Sequence, residues 1–381
     1  MDSTVSVARC ASYDEKEVLA ALSRALSRIG GLDWVRPGMR VAVKANLMMP
    51  KKPDGAATVH PVVAAALCTL LIERGASVVV GDSPGGPYSG VYLKPIYAVT
   101  GMHAVERTGA RLNDDFGSRE VAVPEARVLH SFPALRFLLE ADAIVSLCKI
   151  KTHGLMAYTG ACKNFFGGVA GMTKSELHYR YPTHEAFADM LVDLNEFYKP
   201  VLSVADAIVA MEGNGPSGGT PRHMDALLCA KNAHALDLAA AAMMNLTADD
   251  VPTLAAAARR GLAPARAEAL SVLTEEAGGL AAFTMPDFAL VPKRGVEFWG
   301  TRNARAAKVL TRLFARRPRV EAHCVGCGAC SAVCHAKAVK VVSGRARIDR
   351  SRCVRCFCCQ EFCPKGAITV HRTALSRLLG R

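Results

Sequence analysis

The stretch Ala143-Ile144-Val145-Ser146-Leu147-Cys148-Lys149-Ile150-Lys151-Thr152-His153-Gly154 begins as an apolar run and ends on two lysines, a histidine and a glycine. Such a run, bounded by a turn residue, reads as a β-strand emptying into a polar loop. The same figure recurs on either side of it. Val41-Ala42-Val43 leads to Lys44-Ala45-Asn46, Val78-Val79-Val80 leads to Gly81-Asp82-Ser83-Pro84-Gly85-Gly86, and Val201–Val209 leads to Met211-Glu212-Gly213-Asn214-Gly215-Pro216. Between these strands lie stretches with helical spacing. Asp14–Ile29 carries Val18, Leu19, Leu22, Leu26 and Ile29 on one face and stops at Gly30-Gly31, and Pro61–Arg74, Glu185–Phe197 and Ala233–Leu246 follow. The Ala-rich region Pro252–Gly279 also reads as helical. Alternation of this kind predicts an α/β fold whose large domain is a mostly parallel sheet flanked by helices.

The C-terminal part is different. Of 14 cysteines, nine fall between Cys324 and Cys363. Of the 47 Lys and Arg, 20 lie from Lys293 onward, with only 4 of the 34 Asp and Glu, so the net charge of +13 belongs to this end. Residues 302–317 read as a basic amphipathic linker helix that Pro318 closes. The domains are therefore 1–318 and 319–381.

The first cysteine run is Cys324, Cys327, Cys330 and Cys334; the second is Cys353, Cys356, Cys359 and Cys363 followed by Pro364. Both have the spacing C-x2-C-x2-C-x3-C of bacterial two-cluster ferredoxins, in which the fourth cysteine of each run serves the other cluster. A constant offset of 29 relates the runs and also pairs Ala338 with Ala367, Val339 with Ile368 and Val341 with Val370. That register marks an internal duplication. The expected cofactors are two [4Fe–4S] clusters, one on Cys324, Cys327, Cys330 and Cys363, the other on Cys353, Cys356, Cys359 and Cys334, in a small α+β ferredoxin-like domain. Two structural zinc sites fit less well, since zinc draws its ligands from two separated pairs. His335 stands where the second run has Pro364, and Cys358 is a ninth thiol.

In the large domain, Lys44, Asn46, Asp82, Lys149, Lys151, His153, Asp206 and Glu212 all fall at or near the ends of expected strands, the edge at which open α/β sheets bind ligands. Lysines Lys44, Lys149, Lys151 and Lys163, with Lys174 nearby, point to an anionic small molecule, with Asn46 and Asn164 as further binding residues. Asp82, His153 and Glu212 are the candidate proton donors and acceptors. Cys162, beside Lys163, reads as a buried structural thiol or a reactive thiolate. The glycine loops lack G-x-G-x-x-G and G-K-[ST], so no NAD, flavin or ATP is assigned.

The segments Val43–Asn46, Gly81–Gly85, Lys149–Gly154, Cys162-Lys163-Asn164-Phe165-Phe166-Gly167 and Met211–Pro216 together resemble the family known as domain of unknown function 362, over roughly residues 40–290. Members of that family often carry a C-terminal two-cluster ferredoxin domain, and the resemblance implies no particular reaction.

The expectation is an iron–sulfur protein that takes electrons from a small carrier such as ferredoxin or flavodoxin and reduces an anionic small molecule, an oxidoreductase. The alternatives are an electron-transfer or redox-sensing subunit without a substrate of its own, and a non-redox enzyme with structural clusters. The basic end could steer an acidic carrier. No groove-reading or aromatic-interleaved motif suggests nucleic acid, and a packed linker helix is favoured over peripheral membrane contact. With no run of 18 apolar residues and no secretory leader at Met1, a cytoplasmic protein is expected, where clustered thiols bind metal rather than pair as disulfides.

Overall fold

The computed structural model describes residues 2–291 and 316–371. All but the last two residues of the expected basic helix 302–317 lie outside the described residues, as does the tail from Arg372.

The strands are β1 Thr4–Arg9, β2 Arg40–Ala45, β3 Ser77–Gly81, β4 Arg111–Leu112, β5 Ser118–Ala122, β6 Ser131–Leu135, β7 Ala143–His153, β8 Ala157–Thr159, β9 Leu202–Glu212, β10 Thr220–Ala230 and β11 Ser271–Leu273. Nine of them form one sheet in the order β11-β1-β10-β9-β7-β2-β3-β4, with β8 folded back on β7. The five consecutive strands β4-β3-β2-β7-β9 are all parallel. β10 then returns antiparallel beside β9 and pairs antiparallel with β1. The expected mostly parallel sheet with helices on its faces is the fold found.

Periodicity explains which helix covers which face. Helix α1, Glu15–Arg28, starts where Asp14 accepts the amides of Lys16 and Glu17, each at 3.0 Å. Its Val18, Leu22 and Leu26 are buried with Val41, Val43, Val78, Val80, Val145 and Leu147 of alternate strand positions. Each such side chain contributes about 1.5–3 kcal/mol relative to exposure. Helix α2, Pro61–Glu73, begins on a proline, whose missing N–H costs nothing in the first turn, and packs on the same face. The opposite face is covered by helices His184–Tyr198 and Ala233–Met243. All eleven residues of β7 are buried.

The long Ala-rich helix expected over Pro252–Gly279 is not what forms. The helix ends at Arg259, Gly261 adopts φ +68°, and β11 follows as a parallel edge partner of β1. Pro264 lacks the amide a continuing helix needs and restricts the residue before it, so alanine content is overruled locally.

The C-terminal part pairs β12, Arg317–Val320, with β15, Ile368–His371, and β13, Val339–Val342, with β14, Arg345–Ile348, all antiparallel. Its two short helices, Ala329–Ala332 and Cys358–Glu361, stand 29 residues apart, as do β13 and β15. The unit sits on the C-terminal edge of the large sheet. Gln360 Nε2 donates to Asn214 Oδ1 and to Gly215 O, each at 2.8 Å, and Asn214 Nδ2 donates to Ile368 O. Phe357 and Val370 are buried in the same cluster as Leu155, Met156 and Tyr181. Among the described residues, no helix is long and apolar enough to cross a membrane.

Candidate functional site

A pocket opens at the strand ends between the large sheet and the cysteine-rich unit. It is lined by Lys44, Asn46, Asp82, Lys151, Lys163, Asn164 and Lys174 from the first and by Glu361 and Phe362 from the second. The strand ends deliver Lys44, Asp82 and Lys151, and the turn Ala161–Asn164 delivers Lys163 and Asn164.

The inner wall is a closed polar network. Lys44 Nζ contacts Asp82 Oδ1 at 2.7 Å and donates to Ala45 O at 2.8 Å and Asn164 Oδ1 at 3.0 Å. Asp82 Oδ2 accepts the amide of Leu47 at 2.9 Å. Asn164 Nδ2 donates back to Lys44 O and to Ser146 Oγ. Burial pushes the Lys44 ammonium down from its usual range, against the pull of Asp82. The tightness of this wall explains Gly167, where a Cβ would run into Asp82 Oδ1 and Lys44 Nζ. Asp82 is thus the carboxylate that opposes the effect of burial on Lys44.

Two further lysines are held with protons near neutrality. Lys151 Nζ donates to Ala57 O at 2.7 Å and Asn46 Oδ1 at 2.8 Å. Burial, reinforced by Lys163, lowers its pKa to about 7. Lys174 Nζ donates to Val169 O at 2.7 Å and Ser83 Oγ at 2.8 Å, and burial lowers it likewise to about 7. Spacing pointed to Lys174 only weakly, yet it lies in the pocket wall.

At the back of the pocket stands Glu361, which sequence reasoning missed. Its Oε1 is 3.6 Å from Lys163 Nζ, and its Oε2 is 3.6 Å from His153 Nε2 and 3.7 Å from His178 Nε2. Burial would push this carboxyl up, but the Lys163 ammonium beside it outweighs burial and holds it well below the usual range. Burial also lowers His153 to about 4 and His178 to about 3, so both rings are neutral. The only signal for Glu361 was an acid between two cysteines in a strongly basic segment.

Other expected residues lie elsewhere. Lys149 Nζ is spent on Asp206 Oδ2 and the Tyr13 hydroxyl, each at 2.8 Å, and does not line the pocket. The ladder between β7 and β9 shifts register between Lys149 and Lys151, so Lys149 stands opposite Asp206 and Lys151 opposite Met211. Glu212 is also outside the pocket wall, its carboxylate accepting the amide of Ala289 at 2.9 Å. Cys162 and Cys148 are buried, and desolvation followed by Asp237 pushes both thiols well up, which removes the reactive-thiolate reading of Cys162.

In the cysteine-rich unit, the groups close enough to oppose ionisation of Cys330, after burial itself, are Cys363, Cys324 and Cys327. For Cys359 they are Cys356, Cys353, Cys330 and Cys334. The last thiol of each run thus lies beside the other run. Backbone amides point at these sulfurs in matched fashion. Ala338 N donates to Cys334 Sγ and Ala367 N to Cys363 Sγ, both at 3.2 Å and 29 residues apart. Among the described residues no three His, Cys, Asp or Glu converge as ligands of a metal ion. A four-iron cube spreads its thiolates over separate irons, so its ligand set is wider than that of one ion. His335 reaches across to the large domain, its Nε2 2.9 Å from Ser175 Oγ, and Cys358 is buried against Cys356.

The family model described as "Domain of unknown function (DUF362)" matches residues 41–242. A thylakoid-associated protein of Synechocystis sp. (strain ATCC 27184 / PCC 6803 / Kazusa) is 34% identical over 279 residues, covering 70% of this chain and 83% of that protein. Among solved structures, the lactate racemase apoprotein of Thermoanaerobacterium thermosaccharolyticum aligns at 12% identity with a TM-score of 0.35, and a Thermotoga maritima structural-genomics protein at 16% and 0.35. The matches take in 58% and 55% of this chain, and about half the length of each structure, 54% and 53%.

Proposed function

The chain belongs to the family described as domain of unknown function 362, and we propose that it is an iron–sulfur protein that passes electrons through two [4Fe–4S] clusters to an anionic small molecule held in the lysine pocket. The observation that carries this reading is the placement of Cys359-Gln360-Glu361-Phe362-Cys363. Its outer residues are proposed cluster ligands, and Glu361 and Phe362 between them line the pocket.

The thiols suit the cofactor. The neighbours of Cys330 and of Cys359 include the last thiol of the other run, as a pair of interleaved quartets requires, and amides aimed at sulfur stabilise thiolate charge. Cys324, Cys327, Cys330 and Cys363 would hold one cluster, and Cys353, Cys356, Cys359 and Cys334 the other, in a ferredoxin-type domain of residues 319–381. When bound, the clusters supply electrons one at a time and store two between them.

The remaining work falls to the chain. Lys163 and Lys151 attract the anion, and Asn46 and Ala57 O orient the Lys151 ammonium. Lys151 and Lys174, each near pH 7, hold protons that a two-electron reduction can draw on. Phe362 and Phe166 supply apolar wall to the pocket. The reductant is an acidic one-electron carrier such as ferredoxin or flavodoxin, and the compartment is the cytoplasm.

The test is anaerobic purification, an iron and sulfide count, and dithionite reduction followed by absorbance. About eight irons are expected, and fewer than about six overturns the two-cluster reading. A panel of small carboxylates and phosphates is then offered to the reduced protein. K151M should slow reoxidation at least tenfold. Reoxidation by a second protein alone would return the reading of an electron-transfer subunit, and no reoxidation at all that of a non-redox enzyme.

A further inference from the structure

Lys163, His153 and His178 come from three separate elements of the large domain and surround a single carboxylate that the domain does not supply. The three are 7%, 2% and 1% exposed. His153 Nδ1 accepts the amides of Leu155 at 3.0 Å and Met156 at 3.2 Å, so the neutral ring carries its proton on Nε2, the atom that faces Glu361. Neither His153 Nε2 nor either nitrogen of His178 has a hydrogen-bond partner. Unmade buried donors are costly, and the cost is relieved only by an acceptor within reach.

Glu361 reaches this locus without completing it. Its oxygens stop 3.6–3.7 Å from the three nitrogens, where charge-assisted bonds close to about 2.7–2.9 Å. The reason is its tether. It ends the four-residue helix Cys358–Glu361, and Gln360 pins that helix to Asn214 and Gly215. A free carboxylate has no such constraint. Glu361 is the most open member of the group, its side chain 16% exposed, so it can turn outward while the helix stays in place.

We propose that Lys163, His153 and His178 form a carboxylate-binding subsite of the lysine pocket, and that a carboxylate ligand binds there by taking the place of Glu361. Exchange of one carboxylate for another leaves the buried charge unchanged, which makes the displacement feasible in a desolvated site. The subsite identifies the ligand as a small carboxylic acid. It deepens the anion-pocket part of the proposed function and does not depend on the clusters.

The test is calorimetric titration of the full-length protein with oxalate. Removing the competing carboxylate in the near-isosteric E361Q variant should tighten oxalate binding at least tenfold over the parent. Adding K163M to E361Q should abolish that gain. Affinity that is unchanged or weaker in E361Q overturns the subsite, and so does a gain that survives K163M. Should E361Q fail to fold, K163M in the otherwise native chain carries the test, with at least tenfold weaker binding expected and equal affinity overturning the proposal. Iron content is read on the same samples. A low count with the E361Q gain intact overturns the electron-transfer reading alone, and a full count without the gain overturns the subsite alone.

Discussion

Lys151 and Lys174 lose their protons near neutrality because they are buried with neutral acceptors, whereas Lys44 faces Asp82 across 2.7 Å. Breaking a buried pair of the Lys44–Asp82 kind costs about 3–5 kcal/mol, so Asp82, one of the expected proton-transfer residues, has a structural duty that its place in a Gly/Pro turn did not disclose. The lowered lysines make anion binding pH-dependent. Their pKa values in the free protein are about 7, and a bound anion favours the charged forms and raises them. Below pH 7 both lysines are already charged and affinity is full. As pH rises through 7, binding must take up protons, and affinity falls until the bound-state pKa values are passed. Oxalate titrated at pH 6 and pH 8.5 should bind at least tenfold more tightly at the lower pH, with proton uptake visible as a buffer-dependent heat at the higher. K151M should flatten the profile.

Among the elements, the helix Cys358–Glu361 does the most for its length. It carries a proposed cluster ligand, a pocket carboxylate and the docking residue Gln360. Gly154 and Gly85 make room for it, since a Cβ at either would strike Gln360 or Phe362. Q360A removes the bonds to Asn214 Oδ1 and Gly215 O and leaves buried acceptors behind, a loss of about 1–3 kcal/mol in docking. Hydrogen exchange should then quicken in residues 213–218 and 357–363 while the core of β7 stays protected, and unchanged exchange in both segments would refute the latch. At this scale the sequence was a good guide where periodicity was strong. Asp14–Ile29 was expected and Glu15–Arg28 formed, because capping and amphipathic spacing are local. It was a poor guide over Pro252–Gly279, where composition suggested one helix and a proline and a positive-φ glycine decided otherwise.

Taken whole, the molecule has a basic end and a nearly neutral body, and the basic side chains of the end are concentrated. Arg319, Arg345, Arg347 and Arg350 line one cleft with Arg317 and His371, and Ala346 in its wall donates its amide to Cys324 Sγ. An acidic carrier steered to this cleft would come up beside the first cysteine run. R345E with R347E should slow reduction by an acidic ferredoxin at least tenfold at low salt, and the difference from the parent should shrink as ionic strength rises. Reduction rates that match the parent at every salt concentration would rule the cleft out as the docking face. The sequence by itself determined the alternation of strand and helix, the two cysteine runs with their 29-residue offset, and most of the polar residues at the strand ends, because each is written in spacing along a few turns or strands of chain. Only the tertiary structure decided which of those residues work together. It sent Lys149 to Asp206 and Lys151 to the pocket, left Glu212 with Ala289, and brought Glu361 to His153 across 208 residues of chain. Partnerships of that kind follow from how separately folded elements dock, and no local periodicity encodes them.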